Sequence, residues 1–161
     1  MAVIRKTKGM TTVELLIALA VISIGLVYLL GSVAFYLSLL GLEKNVSQAN
    51  FLAQHSLEAL RSFRDSTDWT VDGLGTFLIE VPYHFEKNSS EWNLVEGSIV
   101  ENGFERKLLF YNVYRDTNDN IVDSSGVLDP DSKRILVIVS WDQKGVKRQI
   151  ELVTFLTNWA N

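Results

Sequence analysis

Cysteine is absent from all 161 residues. That rules out a disulfide framework, a thiol nucleophile and any zinc site built on thiolates. Histidine is nearly absent: His55 and His84 stand apart from each other and from acidic clusters, so imidazole ligands for a metalloenzyme are lacking. Nor is there a glycine-rich phosphate loop, a Ser/His/Asp set or a recognisable pair of catalytic carboxylates. Excess positive charge is missing too. The chain is at −4, and because Arg5, Lys6 and Lys8 sit with no acid in the first nine residues, the remainder is at −7. Nucleic-acid binding needs clustered Lys and Arg to offset phosphates, and this balance argues against it. No enzymatic activity and no cofactor are expected.

The most telling absence is local. From Leu15 to Leu42 there are 28 consecutive residues without Asp, Glu, Lys, Arg or His. About 20 apolar helical residues cross the hydrocarbon core of a bilayer, so this run spans a membrane with length to spare. The positive residues before it hold the N-terminus in the cytoplasm and send the C-terminal domain outward. A secretory signal has an apolar core of about 7–15 residues closed by a small-residue cleavage site. Here the run is about twice that long, and Ala18-Leu19-Ala20 lies inside it rather than after it. An uncleaved signal anchor predicts the same topology and stands as an alternative. The rest leaves room for one soluble domain of about 100 residues.

The stretch Lys8-Gly9-Met10-Thr11-Thr12-Val13-Glu14 runs straight into Leu15-Leu16-Ile17-Ala18. A basic leader, a glycine, four uncharged residues, a glutamate and then a long apolar helix: this order resembles the N-terminus of type IV pilins, over roughly the first 40 residues. The resemblance implies that residues 1–9 are a leader removed by a prepilin peptidase after Gly9. Met10 is then the first mature residue, N-methylated, although it replaces the commoner Phe. It also implies that Glu14, the fifth mature residue, pairs with the Met10 amine of a neighbouring subunit and sets the axial register of a filament. A carboxylate at the start of a span is costly in hydrocarbon and calls for a partner. The alternative is that Glu14 lies at the interface, reaches water and supports the positive end of the helix. Many major pilins place proline at the twenty-second mature position; here it is Gly31, a milder weak point, since glycine costs about 1 kcal/mol relative to Ala in a helix. Gly25, Gly31 and Gly41, with Ser23, Ser32 and Ser38, could provide a packing face for neighbouring helices.

Beyond the span the periodicity changes. Val46, Ala49, Ala53, Leu57 and Leu60 recur at spacings of three and four, while Lys44, Gln48, Gln54, Glu58 and Arg61 take the other faces. This predicts an amphipathic continuation over residues 43–64, with His55 on its surface, that needs a sheet to cover its stripe. The helix is expected to end near Arg64, before Asp65-Ser66-Thr67-Asp68. Residues 65–75 read as a loop in which Trp69 packs against the helix end. Strands are expected at Thr76–Tyr83, Glu91–Val95 and Phe104–Tyr114, the last alternating around Leu108, Phe110 and Tyr114. Turns fall at Asn88-Ser89-Ser90 and Glu101-Asn102-Gly103. Arg134–Trp141 and Val146–Leu156 form a hairpin over Asp142-Gln143-Lys144-Gly145, and the ending through Trp159 completes the sheet or docks beside it. Ile135, Val137 and Val139 fall on one face of that first strand and Leu136, Ile138 and Ser140 on the other. The expected fold is α+β and pilin-like: a long N-terminal α-helix, its membrane or filament-core part at residues 10–42, packed on an antiparallel β-sheet within a head at residues 65–161. The closing hairpin, ending in Leu-Thr-x-Trp, is similar to minor pilins of the type IV pilus modification class. The cysteine pair of many major pilins is missing, so no role of the loop it closes carries over.

Asp116, Asn118 and Asn120 match the first, third and fifth positions of a calcium loop. The glycine of the sixth position is Ile121 and the glutamate of the twelfth is Val127, so an Asp/Asn-rich turn is the preferred reading and no metal is assigned. The functional expectation is a minor pilin. It is inserted in the inner membrane, processed after Gly9 and added to a cell-surface pilus. Its partners are other pilin subunits, the prepilin peptidase, an assembly platform and the membrane. A pseudopilin of a type II secretion or DNA-uptake system shares every one of these features. An uncleaved single-pass binding or sensor protein is the alternative from another class.

Overall fold

The computed structural model describes residues 11–88, 91–123 and 125–158. The expected leader, the Gly9–Met10 cleavage site, part of the Asn88-Ser89-Ser90 turn and Trp159 lie outside the described residues. The chain divides into two compact units, Met1–Lys44 and Asn45–Asn161. One long helix, α1 (Thr12–Ser66), supplies all the described secondary structure of the first unit and the opening element of the second. No proline interrupts its 55 residues. Its C-terminal end lies two residues beyond the expected Arg64. The Ser66 and Thr67 hydroxyls donate to the Phe63 carbonyl at 3.1 and 2.7 Å, satisfying an acceptor the last turn would otherwise leave open.

In the second unit, seven strands follow: β1 (Pro82–Asn88), β2 (Glu91–Glu96), β3 (Ile99–Glu101), β4 (Phe104–Arg115), β5 (Ile121–Val122), β6 (Val127–Gln143) and β7 (Val146–Thr157). All pairings are antiparallel, in the order β2-β1-β4-β6-β7, with β3 and β5 pairing the two ends of β4. The fold is thus α+β, a long N-terminal helix packed against a C-terminal antiparallel sheet. Ala49, Ala53, Ala59, Leu60 and Phe63 of α1 are buried with Leu108, Phe110, Ile135, Val137 and Val139 of β4 and β6. Three alanines on the buried stripe let the helix backbone come close to the sheet, and Phe63 fills the space beyond them. Val46 and Leu57 of the expected stripe are only partly buried, while Ser56 and Ala59 join it. Ser56 tolerates burial because its hydroxyl donates to the Leu52 carbonyl at 2.9 Å.

The β6–β7 hairpin forms as expected, but β6 is about twice the expected length, beginning at Val127 rather than Arg134, while β7 gains one residue. Lys144 at φ 55° and Gly145 at φ 78° supply the paired left-handed conformations of a two-residue turn, and the Asp142 carboxylate accepts the Gly145 N–H at 2.9 Å. Of β6, Ile135, Val137 and Val139 are fully buried against the helix side, and Leu136 and Ile138 are half-buried on the other face.

Two strand expectations are corrected. Thr76–Tyr83 is not a strand: a 3-10 turn spans Leu74–Thr76, Glu80 sits at φ 63°, and β1 begins at Pro82. The left-handed Glu80 breaks the extended run, and its N–H donates to the Phe110 carbonyl at 2.9 Å, tying the loop to β4. Leu78 and Ile79, read as strand residues, are therefore exposed. The alternation of β4 also does not continue to Tyr114. Opposite Asn112 and Val113, the β6 partner jumps from Lys133 to Asp129. This bulge houses Pro130, which has no N–H to give a ladder, and it brings Val113 into the core where Tyr114 was expected.

Trp69 is buried in the same cluster as Phe63, and its indole N–H donates to the Pro130 carbonyl at 3.2 Å. A Cβ on Gly75 would lie 2.5 Å from the Trp69 carbonyl and 2.7 Å from its ring, so only glycine admits this packing.

Candidate functional site

The site begins at the first described residues. Thr11 precedes the helix, and Thr11-x-x-Glu14 closes on itself. The Glu14 Oε2 accepts the Thr11 backbone N–H at 2.8 Å and its hydroxyl at 3.0 Å, while the Glu14 N–H donates back to the Thr11 Oγ1 at 3.3 Å. This is a capping box, and it satisfies N–H groups that the helix N-terminus would otherwise leave unpaired. The signal is local in the sequence, a threonine three residues before a glutamate at the edge of an apolar run. The cap uses one carboxylate oxygen for both bonds it accepts.

From Leu15 the helix presents side chains that nothing among the described residues covers. Leu16, Val21, Ile22, Val27, Leu29 and Phe35 are all more than half exposed. This is the one described helix long and apolar enough to cross a membrane. Its 28 charge-free residues are about 42 Å long at 1.5 Å per residue, against a hydrocarbon core of about 30 Å. Two hydroxyls inside are satisfied within the helix: those of Ser23 and Ser32 donate to the carbonyls of Leu19 and Tyr28 at 2.7 and 2.9 Å. A Cβ added at Gly25, Gly31 or Gly41 would meet nothing within 4 Å, so each glycine is an open notch on the surface. Gly31 lies in a shallow groove with Val27, Tyr28, Ser32, Phe35 and Tyr36. The helix runs unbroken through it.

The remaining candidates lie in the head. Asp116, Asn118 and Asn120 share the β4–β5 turn, but the Asp116 carboxylate is turned inward. It accepts the backbone N–H groups of Asn118 and Asn120 at 2.8 and 2.9 Å and the Asn120 side-chain amide at 3.1 Å. Those bonds, the Asn120 side chain foremost, hold the Asp116 carboxyl below its ordinary range. Asp119 at φ 66° completes a closed turn. His55 is exposed on α1, with rings of Phe51 and Trp92 beside it. His84 is buried, its Nε2 3.2 Å from the Glu86 carboxylate. Among the described residues no three His, Cys, Asp or Glu side chains gather as a metal site.

Comparison with protein-family models, with curated proteins and with solved structures finds no match to this chain.

Proposed function

We propose that this chain is a structural subunit of a type IV pilus-like filament, a minor pilin made as a membrane-inserted precursor and cut after Gly9. The observation that carries the reading is α1 itself. A helix whose first half is apolar on every side, and whose second half buries only one stripe, suits a protein that stays in lipid until neighbouring helices replace it. Leaving lipid for water would cost that surface about 25 cal/mol per Å², so the helix leaves the bilayer only as neighbouring helices re-bury it. The charge order before the span puts the N-terminus in the cytoplasm and the head outside.

In this reading Glu14 has two successive tasks. In the precursor its carboxylate closes the cap with Thr11. After cleavage, the new Met10 amine of an adjacent subunit carries a positive charge below a pKa of about 8 and becomes the partner of the same carboxylate. Other pilin subunits, the peptidase and an assembly platform are the partners this requires. A pseudopilus is built from the same parts.

Mass spectrometry of the mature N-terminus tests the reading. A chain beginning at N-methylated Met10 is expected, and a working protein that begins at Met1 or Ala2 would make it an uncleaved anchor instead. The second measurement is the amount of protein in sheared filaments relative to membranes. Glu14→Val should be inserted and cut normally, yet drop out of filaments by tenfold or more. Thr11→Val, which loses the hydroxyl of the cap and keeps the carboxylate, should fall less. An unchanged ratio for Glu14→Val would reduce Glu14 to a helix cap.

A further inference from the structure

A groove of about 500 Å³ opens on the head between the end of α1, the loop after it and β2. That volume is within the range of small-molecule sites. Its floor is aromatic and aliphatic: Phe63, Phe77 and Leu94. Its wall is Trp92, held by the edges of His55 and Phe85 at ring separations of 5.5 and 6.0 Å and by the Lys87 ammonium 5.7 Å from the indole. The ring is therefore fixed before any ligand arrives, which lowers the ordering cost of binding.

Around that floor stands a ring of polar groups with capacity to spare. The Ser62 hydroxyl and the Trp92 indole N–H make no hydrogen bond with any described residue. Ser66 and Thr67 donate to the Phe63 carbonyl and keep their oxygen lone pairs as acceptors. Asp72 uses its Oδ1 to accept the Asp68 N–H at 2.8 Å, leaving Oδ2. No Lys, Arg or His lines the groove, so an anionic ligand would find no counter-charge. The polar lining is too dense for a purely apolar one.

We propose that this groove binds a saccharide. The ligand that matches it is neutral, carries several hydroxyls that both donate and accept, and has an apolar C–H face for the aromatic floor; a pyranose ring has all three. Ser62, Asp72 and the Trp92 N–H bind the hydroxyls, while Phe77 and Leu94, both only partly buried, receive the ring. The site depends only on the head and stands whether or not the chain enters a filament.

The test uses the full chain in phosphocholine micelles, because glycoside detergents would compete. Glucose, galactose, mannose and N-acetylglucosamine are titrated while the Trp92 indole and Asn93 amide signals are followed by NMR, with inorganic phosphate and trialanine as controls. At least one sugar should give a saturable shift with a Kd of about 1 mM or tighter. Ser62→Ala removes a hydroxyl that bonds no described residue. It should weaken that sugar fivefold or more with the melting temperature unchanged. Trp92→Phe, which keeps a ring and loses the N–H, should weaken it less than Trp92→Ala. A deoxy analogue lacking a bound hydroxyl should also lose affinity, since a site built to bond a hydroxyl rejects the analogue without it. The proposal fails if no sugar gives a saturable shift at about ten times that concentration. It fails equally if Ser62→Ala binds as well as the parent, or if phosphate or trialanine binds more tightly than every sugar.

Discussion

Leu29 and Leu60 are the same residue on the same helix, yet Leu29 is 64% exposed and Leu60 fully buried. The difference is in their neighbours along the sequence. Around Leu29 every direction is apolar or small, so no turn of the helix offers a wet face. Around Leu60, Glu58 and Arg61 take the water side and make their own ion pair. A helix apolar all round needs a solvent other than water, whereas a helix with one apolar stripe needs a single partner surface. The chain supplies that partner for Asn45–Ser66, in β4 and β6, and supplies none for Leu15–Leu40 among the described residues. One helix thus carries two folding problems, of which the chain answers one by itself.

The largest effect should come from removing the answered half. A chain starting at Glu43 keeps Ala49, Ala53, Ala59, Leu60 and Phe63 over the sheet and should be soluble and melt cooperatively. A chain starting at Asp65 uncovers Leu108, Phe110, Ile135, Val137 and Val139 together. The loss should exceed the 5–15 kcal/mol that ordinarily separates folded from unfolded, so it should bind a hydrophobic dye and show no cooperative transition. Equal melting of the two chains would sink the helix-on-sheet account.

A smaller and sharper probe exchanges single residues. Leu60→Ala should cost the head about 2–5 kcal/mol, as large-to-small core changes do. Leu29→Ala should leave the head unchanged and weaken membrane insertion by only a few tenths of a kcal/mol, because one leucine contributes about that much on insertion scales. Denaturant melts followed by tryptophan fluorescence, which reports only the head because all four tryptophans lie beyond Arg64, would read the contrast. A head destabilised by Leu29→Ala would mean that the two halves of α1 do not fold independently.

The contrast between the halves was legible in the sequence because it is written in composition. A run of 28 residues without charge and a stripe at three-four spacing require no tertiary information. The β6–β7 hairpin was legible for the same reason, since Lys144-Gly145 is local turn chemistry between two β-rich runs. What was missed depends on distant partners. The break at Glu80 is stabilised by a bond to Phe110, and the bulge at Pro130 by the Trp69 indole, 61 positions away. No periodicity announces such a pairing. Glu14 is a different case: its cap with Thr11 was a local signal, overlooked because its longer-range reading was the more specific one.

Acid should separate the two halves with the smallest perturbation, because one half has almost nothing to titrate. Between Leu15 and Leu42 there is no carboxylate, imidazole or amine, so that part of α1 should stay helical in micelles at low pH. The head is held partly by charge. Asp129 is mostly buried and accepts the Arg115 guanidinium at 2.6 Å, and Arg115 reaches on to the Asp119 carbonyl at 3.0 Å and the Ser132 hydroxyl at 3.4 Å. Burial by itself would raise the Asp129 carboxyl, but the bonds from Arg115, Ser132 and the Asp131 N–H outweigh it and hold it below its ordinary range. A carboxyl lowered on folding binds fewer protons in the folded state. Its stabilisation is therefore complete above the unfolded value of about 3.9 and is lost as pH falls through the lower folded value. Asp129→Asn keeps the shape and removes the charge. It should cost about 1.5–3 kcal/mol at pH 7, the range for a hydrogen bond to a charged group, and progressively less below pH 4 as the parent loses the same interaction. In the parent, near-ultraviolet circular dichroism should fade with acid while much of the helical far-ultraviolet signal persists. If Asp129→Asn costs as much at pH 2 as at pH 7, the ion pair does not hold the β4–β6 bulge, and the head's sensitivity to acid lies elsewhere.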